Sequence, residues 1–472
     1  MRQILKHAFY LAVGIVLLLL FARNTYAQAG VITYMGTLAD GAAYLIEKPA
    51  NWNGTLFLYS HGYVTPGSAN PAQDAGDPVT QGIMLANGFA LAGSSYAHTG
   101  WAVQEALLDQ IAVLDIFKLL VGQPARTIAW GHSLGGIITA GLIQRHPDRF
   151  DAALPMCGVL SGGVATWNTA LDSAFAFKTL LGPGTGLQVV NIANPGANFQ
   201  LAEGILAAAQ ATPQGRARLA LVLAVADGPG WFDPTAPEPA PNDFISQETN
   251  QFLWDEFVDL PFLFAFRAEL EFRAHGNPSF NTGVDYSKQL AKSINSAEVA
   301  ALYQQAGLDL AGDLNTLNNA VRETADPQAL RYLEQNIIFD GQIQIPVLTM
   351  HTKGDGLVVV QNESAYKNVV DEAGDPELLR QAFVHRAGHC EFSPAETFTA
   401  VQALLNRLDT GTWGNLDAGV LNLVATALGP GSQIIFVTTQ QGVVIVPAAP
   451  AFFDFTPSQY LRPFDARNVE NE

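Results

Sequence analysis

Cysteine is nearly missing from this chain: its 472 residues carry only two, Cys157 and Cys390. They leave room for one intramolecular disulfide in an exported protein, with two buried free thiols as the alternative. Charge is also scarce, at 14% of residues, and lopsided. The 24 Lys and Arg stand against 43 Asp and Glu, for a net charge of −19. A surface of that sign disfavours nucleic acid and anionic membranes as partners. Low charge beside 49% hydrophobic residues excludes a disordered chain. Internal repeats, coiled-coil heptads and low-complexity tracts are absent. After residue 22 no apolar run approaches the roughly 20 residues of a membrane span.

What is present begins with a leader. Arg2 and Lys6 precede an apolar run over residues 8–22, and Thr25-Tyr26-Ala27 offers a small-residue cleavage step. This is the pattern of a secretory signal peptide, with cleavage expected after Ala27; an uncleaved anchor is the rival reading. Removing the leader would also remove Arg2, Lys6 and Arg23 and make the chain more acidic still.

Residues 31–38 and 42–47 read as strands around an Ala-Asp-Gly turn. Residues 55–59 (Thr-Leu-Phe-Leu-Tyr) form a continuous apolar run, as in a strand covered on both faces. Helices over 80–87, 103–121 and 137–145 alternate with strands over 89–93, 127–130 and 152–156. That rhythm predicts an α/β fold with a mostly parallel sheet and helices on both faces. It breaks at about residue 161. The next stretch of about 180 residues is helical, with no strand alternation, and is too long for a loop. Strands return at 345–350 and 382–385, a helix follows at 394–408, and runs at 432–438 and 441–446 suggest a C-terminal hairpin packed on the core. The expected organisation is a signal peptide at 1–27, a first core segment at 28–160, a helical lid or cap at 161–340, and a second core segment with its extension at 341–472.

The chemistry concentrates at Gly131-His132-Ser133-Leu134-Gly135-Gly136. The Gly-x-Ser-x-Gly pattern occurs by chance, but here an apolar strand precedes it and a helix follows. Such a turn must be sharp enough to expose a strained serine hydroxyl. Ser133 is therefore the candidate nucleophile, against an ordinary glycine-rich turn. Serine needs a base, and histidine is the usual one. The chain order serine, acid, histidine excludes His7, His61, His98 and His132. Among the rest, His389, in a loop after a strand and behind Gly388, is best placed. Asp355, between two glycines after the 345–350 strand, is the candidate acid, against a simple Asp-Gly turn. The N–H groups of Leu134 and of Tyr63, in His61-Gly62-Tyr63, are candidate oxyanion donors.

Taken together, His61-Gly62, the Gly-His-Ser-Leu-Gly-Gly elbow, the Gly354-Asp355-Gly-Leu-Val loop and Gly388-His389 resemble the α/β-hydrolase superfamily, in particular secreted bacterial serine esterases, lipases and related peptidases. The resemblance covers about residues 30–160 and 340–410. It implies a Ser-His-Asp triad with neither metal nor organic cofactor, acting on a small-molecule or polymeric ester. In that fold Cys157 and Cys390 fall on the catalytic side of the sheet, so a bridge would pin the histidine loop. This loosely resembles some tannase and feruloyl-esterase relatives. The reaction expected is ester hydrolysis through an acyl-enzyme. A peptidase, an acyltransferase and a non-catalytic binding protein on the same scaffold are the alternatives. Oligomeric state is not readable from the chain.

Overall fold

A computed structural model describes residues 30–439 and 442–464. The expected leader, residues 1–27, lies outside them. Thr-Leu-Phe-Leu-Tyr-Ser, β3 (Thr55–Ser60), is buried at every position, as its unbroken apolar run requires. Around it, nine strands of the described residues form one sheet in the order β1-β2-β4-β3-β5-β6-β7-β8-β11. The parallel centre comprises β4 (Ala90–Ser94), β3, β5 (Arg126–His132), β6 (Ala152–Met156), β7 (Val347–Gly354) and β8 (Leu379–Ala387). One edge is antiparallel, β1 (Val31–Thr37) on β2 (Ala43–Pro49) on β4. At the other edge the short β11 (Phe452–Phe453) runs antiparallel to β8, a strand the sequence did not announce.

Helices cover both faces. Against one lie α1 (Pro78–Ala86), which Asp77 caps through the N–H groups of Val79 and Thr80, and later helices. α2 (Val103–Leu120) and α3 (Leu134–Arg145) pack against the other. The expected α/β class with a large helical insertion is what the structure shows. α4 (Gly163–Leu181), α5 (Pro195–Gln210), α6 (Pro213–Ala224), α7 (Phe244–Trp254), α8 (Arg267–Ala274), α9 (Tyr286–Lys292), α10 (Ser296–Ala306), α11 (Leu310–Asn319) and α12 (Pro327–Gln335) separate β6 from β7. They carry an apolar cluster of their own around Phe177, Leu221 and Phe264. Two π-helical turns, Asp255–Asp259 and Phe262–Phe266, interrupt them.

The second core segment holds more helix than expected. α13 (Asn362–Ala373) joins β7 to β8. Its apolar positions Ala365, Tyr366, Val369, Val370 and Ala373 recur at helical spacing. α14 (Pro394–Thr410) carries a Ser393–Glu396 capping box, and α15 (Ala418–Ala427) follows. β9 (Ile434–Thr439) and β10 (Gly442–Pro447) form the expected hairpin as a separate two-stranded sheet. Ile435 and Phe436 turn inward, whereas Val444 and Ile445 face solvent. Among the described residues no helix is long and apolar enough to cross a membrane.

Candidate active site

β5 enters α3 through Ser133, whose φ of 58° and ψ of −122° lie where a side chain is rarely tolerated. The neighbours make that conformation fit. An added Cβ at Gly135 would overlap the carbonyl oxygen of Ser60, and one at Gly131 would sit 2.5 Å from the same atom. The elbow is thus pressed onto the end of β3, and only glycine allows the approach. A bond from Ser133 N–H to the Met156 carbonyl, 3.0 Å, ties the turn to β6.

The strand ends then bring three distant side chains together. His389 Nε2 lies 2.8 Å from Ser133 Oγ, and His389 Nδ1 lies 2.7 Å from Asp355 Oδ2. Asp355 is fully buried, and its second oxygen accepts the Val358 N–H at 2.9 Å. Burial pushes its carboxyl upward, but the charges and hydrogen bonds of His389 and His351 outweigh this and hold it below the ordinary aspartate range. The histidine loop is anchored to β7 twice: Thr352 Oγ1 donates to Gly388 O at 2.7 Å, and Gly388 N–H donates to Gly354 O at 3.0 Å. Cys157, just past β6, and Cys390 are joined in a disulfide with Cα atoms 5.4 Å apart. The loop after His389 is thereby bound to the strand beside the elbow.

His132, within the Gly-x-Ser motif, points away from this set. It meets Tyr59 Oη at 3.1 Å, and burial with the charge of His389 pushes its imidazole down to about 3. Leu134 N–H heads α3, where a helix has no internal acceptor. Tyr63 flanks it. The Tyr63 ring packs on Phe262 and Phe266 of the insertion, with centroids 5.1 and 5.9 Å away.

Ser133, Leu134 and Tyr63 open onto a cavity of about 120 Å³ roofed by the insertion through Trp167, Phe262 and Leu263. Trp167 is one of the aromatic residues of the insertion that line it. Trp254 instead donates to the Trp231 carbonyl, and Phe244 packs within the insertion. Asp259 is the one charged residue among the lining side chains. Burial and the carboxylates of Asp255 and Asp355 push its carboxyl well above the usual range. Neither this aspartate nor the pair behind Asp355, His351 and Glu363, was flagged by sequence reasoning, because no motif spacing marks them.

A serine set at a strand-to-helix elbow, on a mostly parallel sheet of this order with helices on both faces, is the arrangement of an α/β-hydrolase fold. Residues 88–177, from the start of β4 into α4, match the model of the prolyl oligopeptidase family. Over 448 residues the chain is 29% identical to an o-phthalyl amidase of Xanthobacter agilis, covering 88% of this chain and 96% of that protein. Among solved structures it is similar to feruloyl esterase B of Aspergillus oryzae, at 14% identity and a TM-score of 0.43, with 81% of this chain and 82% of that one covered. It is also similar to the acylaminoacyl peptidase of Pyrococcus horikoshii, at 10% identity and a TM-score of 0.35, covering 76% of this chain and 37% of that one.

Proposed function

We propose that the protein is a secreted hydrolase that cleaves carboxylic esters, with Ser133 as nucleophile, His389 as general base and then acid, and Asp355 as the carboxylate that orients the imidazole. The observation that carries this reading is the hydrogen-bonded line from Ser133 Oγ through both nitrogens of His389 to Asp355. His389 takes the Ser133 proton as Oγ attacks the carbonyl carbon. The oxyanion rests on the N–H groups of Leu134 and Tyr63. Collapse expels the alcohol, which leaves with the proton from His389. Water, deprotonated by the same histidine, then releases the acid. The apolar cavity under the insertion would hold the acyl or alcohol part and keep water away from it. The Cys157–Cys390 bridge supports export, since disulfides persist outside the cytosol. The division into a core at 28–160 and 341–472 and a cap at 161–340 belongs to the same proposal. So does a small-molecule or polymeric ester substrate handled without a cofactor, with no nucleic acid partner and no stable insertion in a membrane.

A second reading is cleavage of an amide by the same machinery. It is favoured by the amidase that shares 29% of its residues with this chain. Both readings meet in one experiment: a chain-length series of 4-nitrophenyl esters, with an o-phthalyl amide alongside, on wild type and Ser133→Ala. Ester turnover that Ser133→Ala lowers about 10⁴-fold or more supports the first reading. Turnover of the amide alone transfers the proposal to amides. Full activity in the alanine variant refutes both.

A further inference from the structure

Behind Asp355 the hydrogen-bonded line continues. His351, on β7, is fully buried. Its Nε2 lies 2.7 Å from the Val358 carbonyl oxygen and 3.5 Å from Asp355 Oδ2. Its Nδ1 lies 3.1 Å from Glu363 Oε1, on α13. A carbonyl oxygen can only accept, and so can an ionised carboxylate, so with Glu363 ionised each ring nitrogen carries its own proton. Glu363 in turn receives Thr349 Oγ1 and the Gln381 side-chain amide, the latter at 2.7 Å, and is itself fully buried.

We propose that His351 is a standing imidazolium held between Asp355 and Glu363, and that it is a positioning residue which fixes Asp355 and sets how far into acid the Ser133–His389 couple stays active. The proposal rests on the reading of Ser133, His389 and Asp355 as the reacting set. Without a cation here, two buried carboxylates would share one pocket, and one would take up a proton. With it, Asp355 stays ionised between two imidazoles. Burial opposes the proton on His351, but the hydrogen bonds and charges of Asp355 and Glu363 prevail and hold it up to about 10. The other groups that face this cluster are few. Asp355 also feels Asp259 of the insertion and Glu391 beyond β8, which has Arg386 beside it, while Tyr366 faces Glu363 and in turn feels Asp340. The one cation among these, Arg386, is paired with Glu396 and lies at Glu391, so His351 is the counter-ion between Asp355 and Glu363 on the side away from His389.

The consequence has a sign. His351 partly offsets the negative charge that draws a proton onto His389. Replacing it by a neutral amide strengthens that pull, so His389 holds its proton to higher pH and the base form is lost sooner on acidification. For His351→Gln the acid limb of kcat/KM against pH should move up by about one unit, with the fluorophosphonate labelling rate moving in parallel. Adding Glu363→Gln removes one negative charge with the positive one and should bring the limb most of the way back. A purely structural role would lower amplitude or stability, leave the limb in place, and be worsened by the second substitution. An unshifted limb in folded His351→Gln would therefore overturn the proposal. A measurement on the wild type needs no variant to fold and no substrate: ¹⁵N spectra of labelled histidine side chains at about pH 8, where a free imidazole of pKa near 6.5 is neutral. One ring protonated on both nitrogens is expected. Neutral rings throughout would overturn the proposal even if Ser133 proved to be the nucleophile.

Discussion

The buried charges behind Ser133 and one buried carboxyl cluster of the insertion are treated in opposite ways. In the core, Asp355 accepts from His389 and Val358, Glu363 accepts from His351, Thr349 and Gln381, and Arg386 meets both oxygens of Glu396 at 2.7 and 3.0 Å. In the insertion, both carboxyl oxygens of Asp255 are buried with no hydrogen-bond partner, and so is one oxygen of Glu298. Burial, reinforced by Glu248, pushes Asp255 up to about 8, and burial pushes Glu298 up to about 8. Paired groups fix geometry, whereas unpaired ones give up stability. The insertion has paired buried groups as well, Arg267 with Glu271 and Asp172 with Tyr286, Gln289 and Arg462, so the contrast is between the surroundings of Asp355 and the Asp255–Glu298 cluster.

The contrast has consequences that can be ordered by size. If reacting geometry resides in the core, Asp355→Asn should lower kcat about 10⁴-fold by spoiling the tautomer of His389. KM should change little, and steady-state kinetics on a nitrophenyl ester measures both. An equal loss from any single cap substitution would erase the distinction. Next comes the bridge between the two core segments. Serine at Cys157 and Cys390 should cost up to about 5 kcal/mol, since the covalent loop it opens is long. Chemical denaturation gives the figure, and an unchanged midpoint would deny the bridge its role.

The third consequence concerns pH. Asp255 and Glu298 bind protons more tightly folded than unfolded, so their part of the stability is fully present in acid. It declines as pH rises from the ordinary carboxyl range toward about 8. Asp355, held down, contributes above the ordinary aspartate range and loses its contribution as pH falls toward its lowered value. Hydrogen exchange should therefore show the insertion loosening from about pH 5 to 8, with the sheet unchanged there. Asp255→Asn should flatten that response. The smallest effect is expected at Asp259, which bounds the cavity. Burial and the neighbouring carboxylates already disfavour a charge on it, so Asp259→Asn should change kcat/KM for neutral and for charged acyl groups by no more than about threefold. A loss of an order of magnitude or more in the kcat on a neutral ester would place Asp259 among the reacting groups.

The legibility of the chain follows a different divide, between local backbone pattern and tertiary placement. Ser133, Asp355 and His389 could be read because the elbow, the Gly-bounded acid loop and the order of the three are imposed by backbone geometry, which leaves glycines in the sequence. The bridge was readable because only two cysteines exist. α13, by contrast, went unread although Ala365, Tyr366, Val369, Val370 and Ala373 share one face. His351 and Glu363, 12 residues apart in sequence, meet only because α13 folds back along β7. Asp259 faces the cavity only because a π-helical turn re-aims the end of α7. Tertiary placement, not local pattern, brought each of these into the site.

The central claim is that Ser133 is the activated nucleophile, and one measurement addresses it directly. The protein is treated with a fluorophosphonate, digested, and the modified peptide sequenced by mass spectrometry, for wild type and His389→Ala. A single adduct on Ser133 in wild type, slowed by orders of magnitude in His389→Ala, is the expected result. An unlabelled wild type, or an adduct on another residue, would contradict it.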